Sequence, residues 1–188
     1  MIYERAAPQG AALLQNKIKR RKIMNKKVLF IAQGAVIAAL YVVLTLAANA
    51  FGLANYAIQV RFSEALTILP AFMPAAIPGL FIGCIISNTL TGAMLPDIIF
   101  GSLATLIGAV GTRFLSRISK WLSPVPPIIA NMVIVPPILY YVYQIPGSIP
   151  FFVLTVGLGE VISCGILGMI LYHAIEKRKD RLFEQENS

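Results

Sequence analysis

All but one of the chain's 16 Lys and Arg residues fall where a membrane protein would turn them toward the cytoplasm; the exception is Arg61. The others fall in three places: ahead of the first apolar run, in one internal loop, and in the tail. Membrane proteins gather Lys and Arg in this way on the cytoplasmic side. Composition agrees, with 57% hydrophobic and 13% charged residues and a mean hydropathy of +0.77. Soluble domains of this size do not have such a balance. The net charge of +8 flanks apolar runs, as in the Lys17–Lys27 cluster and in Lys177, Arg178, Lys179 and Arg181. It therefore reads as an orientation signal and a contact to anionic lipid, not as a nucleic-acid surface.

A length of 188 residues fits one domain. A hydrocarbon core about 30 Å thick needs about 20 apolar residues per helix, which leaves room for about six helices. The apolar runs fall at roughly 28–50, 58–73, 76–91, 97–118, 122–143 and 149–175. The second and third are short and bounded by Pro70, Pro74 and Pro78; two tilted helices are preferred over one re-entrant hairpin. With the basic N-terminus inside, the loops at 51–57, 92–96 and 144–148 lie outside and carry no Lys or Arg. The loop with Arg113, Arg117 and Lys120 lies inside, as does the basic tail. The sequence thus predicts an all-α integral membrane protein of six transmembrane helices with both termini cytoplasmic. Trp121, Tyr140, Tyr141, Tyr143 and Tyr172 fall near the expected interfaces. Residues 1–26 read as a polar, basic, poorly ordered extension, 27–178 as the membrane domain and 179–188 as a cytoplasmic tail. Met24-Asn25-Lys26-Lys27 before Val28 resembles a membrane-protein start, so the first 23 residues read as an upstream extension with little structure.

Charged groups inside a bilayer are costly and point to function. Four qualify: Arg61, Glu64, Asp97 and Glu160. Arg61 and Glu64 are three apart and can pair with each other. Asp97 follows Pro96, where a first-turn carboxylate complements the helix dipole. Asn88 and Asn131 can hydrogen-bond between helices. Glu160 lies about 11 residues into its run, roughly 16 Å deep at 1.5 Å per residue, with no cation near it in sequence. A carboxylate at that depth must be protonated, paired with another helix, or reserved for a ligand. Pro136-Pro137 bends the fifth run, and carbonyls freed at membrane depth must line a cavity or meet protein. The glycines at 157, 159, 165 and 168 permit close approach in the sixth run. Together these two runs read as a cavity wall open to the outside.

No HExxH, GxSxG or Walker motif occurs, so neither hydrolase chemistry nor self-powered pumping is expected. The chain reads as no enzyme, with no cofactor and no metal site. His173 is the sole histidine, and Cys84 and Cys164 lack a CxxC partner and read as small buried hydrophobes. On the first run, Gly34/Ala38 and Ala35/Ala39 form two overlapping small-residue pairs that let a helix approach closely. That helix lies either in the bundle or on a partner protein.

The segment Ile58-Gln59-Val60-Arg61-Phe62-Ser63-Glu64-Ala65-Leu66-Thr67-Ile68-Leu69-Pro70, with the six runs and the alanine pairs, resembles the substrate-binding (S) components of energy-coupling-factor transporters. More narrowly, residues 27–178 resemble the QueT family, proposed importers of queuosine precursors. The resemblance implies a bacterial plasma-membrane protein with a pocket near the outer face. It implies docking of Gly34, Ala35, Ala38 and Ala39 on a transmembrane coupling subunit carrying two ATPases, and import by toppling. The implied cargo is a deazaguanine base such as the aminomethyl pre-queuosine base. Glu160 would accept its guanine-like N–H edge, Glu64 or Asp97 its ammonium, and Arg61 or Asn131 its carbonyl. Asn88 belongs to the same pocket, and Tyr56 or Phe62 would stack on the ring. An S component for another vitamin-like molecule, a stand-alone facilitator or exporter, and a membrane assembly protein remain as alternatives. A facilitator would need polar residues at inner depth; an assembly protein would not need Glu160.

Overall fold

The computed structural model describes the backbone of residues 6–52 and 61–178, and side chains from residue 25 onward. The described residues are helical and connected by short turns, without strands. Helix α1 spans Ala6–Ala50 and is followed by a 3-10 helix at Phe62–Ala71. Helices α2 (Ala76–Leu90) and α3 (Leu95–Leu115) come next. The rods Lys120–Val142 and Ile149–Glu176 are designated α4 and α5. Where the sequence reads an unstructured extension, the backbone is helical from Ala6. The Ala, Leu, Gln, Lys and Arg of that stretch are strong helix formers.

Four rods are long and apolar enough to cross a membrane: Asn25–Ala50, Leu95–Leu115, Lys120–Val142 and Ile149–Glu176. The other two are short, as Pro70, Pro74 and Pro78 dictate. Fifteen residues of α2 rise about 22 Å at 1.5 Å each. Ten residues of 3-10 helix rise about 20 Å at 2.0 Å each. The second apolar run is thus a tight 3-10 helix instead of an α-helix, stretched further per residue than an α-helix would be.

The bundle is apolar outside and polar inside. Ile31, Val43, Leu95, Phe114, Leu154 and Ile170 are exposed, while Ser63, Glu64, Thr67, Asn88, Asn131 and Glu160 are buried. In water such an exterior would drive aggregation; against lipid tails it is matched. The chain is a membrane protein by this arrangement as well as by its helix lengths.

The 3-10 helix lies at the centre, with seven of its ten residues buried, touching α1, α2, α3 and α5. Its final carbonyls are held from α3: Arg113 Nη1 donates to Pro70 O at 3.1 Å and Ala71 O at 3.2 Å. Charged donors to orphan helix-end carbonyls are among the stronger hydrogen bonds. Nearby, Lys120 pairs with Glu176 at 3.2 Å, and Trp121 stacks near His173 at 5.6 Å. These contacts tie α4 to α5 at the end that carries Arg113 and Arg117.

The small-residue pairs of α1 divide between two faces. Gly34 and Ala38 face α2, so that a Cβ on Gly79 would meet Gly34 O at 2.6 Å and one on Gly83 would meet Ala38 O at 3.0 Å. Ala35 and Ala39 are exposed on the outside. Gly79→Val should therefore push α1 from α2 and lower stability by about 1–3 kcal/mol. Ala35→Val should leave it near wild type, both read as thermal unfolding midpoints in detergent.

Candidate functional site

The helix ends at Ala50, Phe62, Leu90, Leu95, Val142 and Ile149 gather at the end of the bundle away from Arg113 and Arg117. Between them lies a cavity of about 310 Å³. Its polar lining is Thr45, Asn49, Arg61, Asn88, Thr91, Asp97 and Tyr143. Val135 and Leu139 form an apolar wall, backed by Phe152 and Val156. A few convergent polar groups beside an apolar wall are the usual make-up of a small-molecule site.

Asp97 is buried in the first turn of α3, and its side chain does not cap the helix: residue Met94 is the N-cap and makes no side-chain cap bond. Instead Asp97 Oδ2 accepts a 2.9 Å hydrogen bond from Tyr143 Oη. The same hydroxyl accepts from the Met94 N–H at 3.1 Å. Tyr143 therefore spans the cavity mouth from the end of α4 to the start of α3. The α4 rod reaches this point through Pro136-Pro137 and a π-helical turn at Ile138–Val142. The prolines remove two backbone donors, and the wider turn takes up the mismatch.

A second group lies beneath. Glu64 is 1% exposed, and Tyr41 donates to its Oε1 at 2.5 Å. Tyr41 thus takes one oxygen of the carboxylate, and the other, Glu64 Oε2, has no hydrogen-bond partner among the described residues. Glu160 is 5% exposed and accepts from Cys164 Sγ at 3.1 Å. Thr67 Oγ1 lies 3.4 Å from the same sulfur and donates to Glu64 O at 2.6 Å. Asn131 is buried with its Nδ2 unpartnered. Ser163 Oγ accepts from the Arg61 N–H at 3.2 Å, joining the 3-10 helix to a π-helical turn of α5 at Val161–Leu167. Arg61 stands between the two groups, close enough for its charge to act on Asp97, Glu64 and Glu160.

Of the residues singled out from sequence, Arg61, Asn88 and Asp97 line the cavity. Glu64, Asn131 and Glu160 are buried outside its lining. Phe62 is half-buried at the start of the 3-10 helix and does not line it. Tyr56 lies outside the described residues. Sequence reasoning missed Tyr41, Thr45 and Asn49, although they recur every four residues on one face of α1, where an inward polar stripe is legible. Tyr143 was read as an interfacial aromatic.

The apolar exterior, the polar interior and a cavity at one end define an integral membrane protein built around a small-molecule site. Residues 31–177 match the family described as QueT transporter, and the chain belongs to that family. A relative from Lactococcus lactis subsp. cremoris (strain MG1363), a queuosine precursor transporter, is 40% identical over 73 residues. That match covers 39% of this chain and 43% of the relative, so it spans less than half of the relative's length. No solved structure matches the chain.

Removing the Tyr41 hydroxyl leaves Glu64 buried without its hydrogen bond. Tyr41→Phe should cost about 1–3 kcal/mol, visible as a lower unfolding midpoint. Equal stability would show that Glu64 is not held by this bond.

Proposed function

We propose that this chain is the substrate-binding S component of an energy-coupling-factor importer for a queuosine precursor. Six spans and both termini cytoplasmic complete the reading, with the cavity facing outward. The observation that carries it is the cavity itself: a polar pocket with Asp97 and Arg61 at the end of the bundle opposite the basic loop. Membership in the QueT transporter family supports the transport role, and the absence of a Walker motif leaves the energy to partner ATPases.

The proposed cargo is a deazaguanine base such as the aminomethyl pre-queuosine base. Asp97, oriented by Tyr143, suits an ammonium group, since charge-assisted hydrogen bonds are the strong ones. Arg61 and Asn88 can meet a ring carbonyl and amide edge. Val135 and Leu139 offer the apolar surface a flat ring needs. Glu64, Asn131 and Glu160 form the floor beneath; Tyr56 remains proposed for stacking, whereas Phe62 lies off the lining. The exposed Ala35 and Ala39 suit docking on a coupling subunit, while Gly34 and Ala38 are engaged with α2.

Calorimetry on the detergent-purified chain alone tests this. The aminomethyl base should bind stoichiometrically, guanine more weakly, and riboflavin and thiamine not at all. Asp97→Asn should reduce affinity for the aminomethyl base by at least about 10-fold, the worth of 1.4 kcal/mol. Tight riboflavin or thiamine binding instead would move the chain to another vitamin-like cargo. A second prediction concerns assembly. Ala39→Leu should abolish co-purification with the ATPase pair yet leave base binding unchanged. Retained co-purification would sink the docking assignment.

A further inference from the structure

We propose that Glu64, Glu160 and Cys164 form a binding site for a borderline divalent cation of the Zn²⁺ or Co²⁺ type. One ligating atom from each lies within 4.8 Å of the others, and all three residues are buried. Glu64 Oε2, on a side chain 1% exposed, has no hydrogen-bond partner. A buried carboxylate oxygen left bare at membrane depth is costly unless something arrives to bond it.

The surroundings are those of a ligand set. Metal-bound carboxylates and thiolates are oriented by hydrogen bonds from behind. Tyr41 supplies one to Glu64. Cys164 reaches the cluster because it lies four residues after Glu160, within the π-helical turn of α5. Charge favours a cation as well: two carboxylates and a thiolate carry three negative charges, of which a divalent ion offsets two. Binding releases the Cys164 thiol proton to solvent, since the thiolate is the ligand. A thiolate among oxygen ligands excludes Mg²⁺ and Ca²⁺ and suits a borderline ion. Three protein ligands leave a coordination position open, and the cavity lined by Arg61 gives the route in. This site is independent of the cargo's identity, because its occupancy is read without cargo.

The test uses the full chain in detergent, stripped with a chelator and titrated with Co²⁺. Co²⁺ should bind one per chain and give a thiolate charge-transfer band in the near ultraviolet. Zn²⁺ should displace it and raise the unfolding midpoint, while Mg²⁺ should do neither. The chain has two cysteines, so Cys84→Ser leaves Cys164 as its sole thiol and should keep the band. Cys164→Ser should lose it. Tyr41→Phe should weaken binding by about 10-fold or more. No band in the wild-type chain, a band lost in Cys84→Ser, or a midpoint shift equal for Mg²⁺ and Zn²⁺ would each overturn the site. Should Cys164→Ser fail to fold, the Cys84→Ser spectrum still decides. Failure of base binding in calorimetry would leave this result untouched, and the reverse holds as well.

Discussion

A ten-residue 3-10 helix at Phe62–Ala71 is the constraint on which the bundle rests. It brings Ser63, Glu64 and Thr67 into the interior and is too short to shield them from lipid by itself. Polar groups at that depth must be satisfied within the protein. Three of its four neighbours supply partners to this segment: Tyr41 and Thr45 from α1, Arg113 from α3, and Ser163 and Cys164 from α5. The longer rods are arranged so that these partners converge. Seen this way, the transmembrane helices form a jacket and the 3-10 helix is the object they enclose.

That arrangement explains the small residues on the α2 side of α1. For Tyr41 to reach Glu64, α1 must lie close to the centre, yet α2 occupies the same side. Gly34, Gly79 and Gly83 allow the two backbones to approach within van der Waals distance, as small residues do where no hydrophobic force draws helices together. The remaining small residues, Ala35 and Ala39, point outward, where packing within the bundle makes no demand on them. A stripe of alanine on a lipid-facing helix is a poor match to acyl chains compared with leucine.

Much of this was legible in the sequence, and the misses have physical causes. Charge and hydropathy placed the ends of α2 to α5 to within a few residues, because lipid imposes helix length directly; α1 ends where expected but starts at Ala6, ahead of its apolar run. They could not distinguish an α-helix from a 3-10 helix in Phe62–Ala71, whose apolar run has too few turns to reveal its period. Glu160 stands out in the sequence as an isolated carboxylate at mid-membrane, and the structure buries it off the cavity lining. Cys164 lies one helical turn further on and reads as a small buried hydrophobe, so its hydrogen bond to Glu160 leaves no sign in the sequence. The Arg61–Glu64 pairing was expected from α-helical spacing. In the structure Arg61 precedes the helix in an extended conformation, with φ −105° and ψ 105°. Tyr41, 23 residues upstream, takes the carboxylate. A contact of that range leaves no local pattern to read.

The same geometry separates what holds the molecule together from what receives a ligand. Tyr41, Thr67 and Arg113 complete hydrogen bonds within the protein. Glu64 Oε2 and Asn131 Nδ2 do not complete theirs, and both belong to the layer below the cavity. Asp97 is held by Tyr143 but still faces the open volume. Folding alone gains nothing from leaving an acceptor and a donor bare in a membrane interior, where the cost of each is highest. Their persistence beside a cavity places the unspent bonding capacity where an incoming group can use it. Bare hydroxyls also occur off the cavity lining, at Ser102 Oγ and at Ser123 Oγ, although the Ser123 carbonyl takes the Thr112 hydroxyl at 2.8 Å. What sets the layer below the cavity apart is the kind of group left bare, a carboxylate oxygen and an amide nitrogen, which cost more to bury than a hydroxyl.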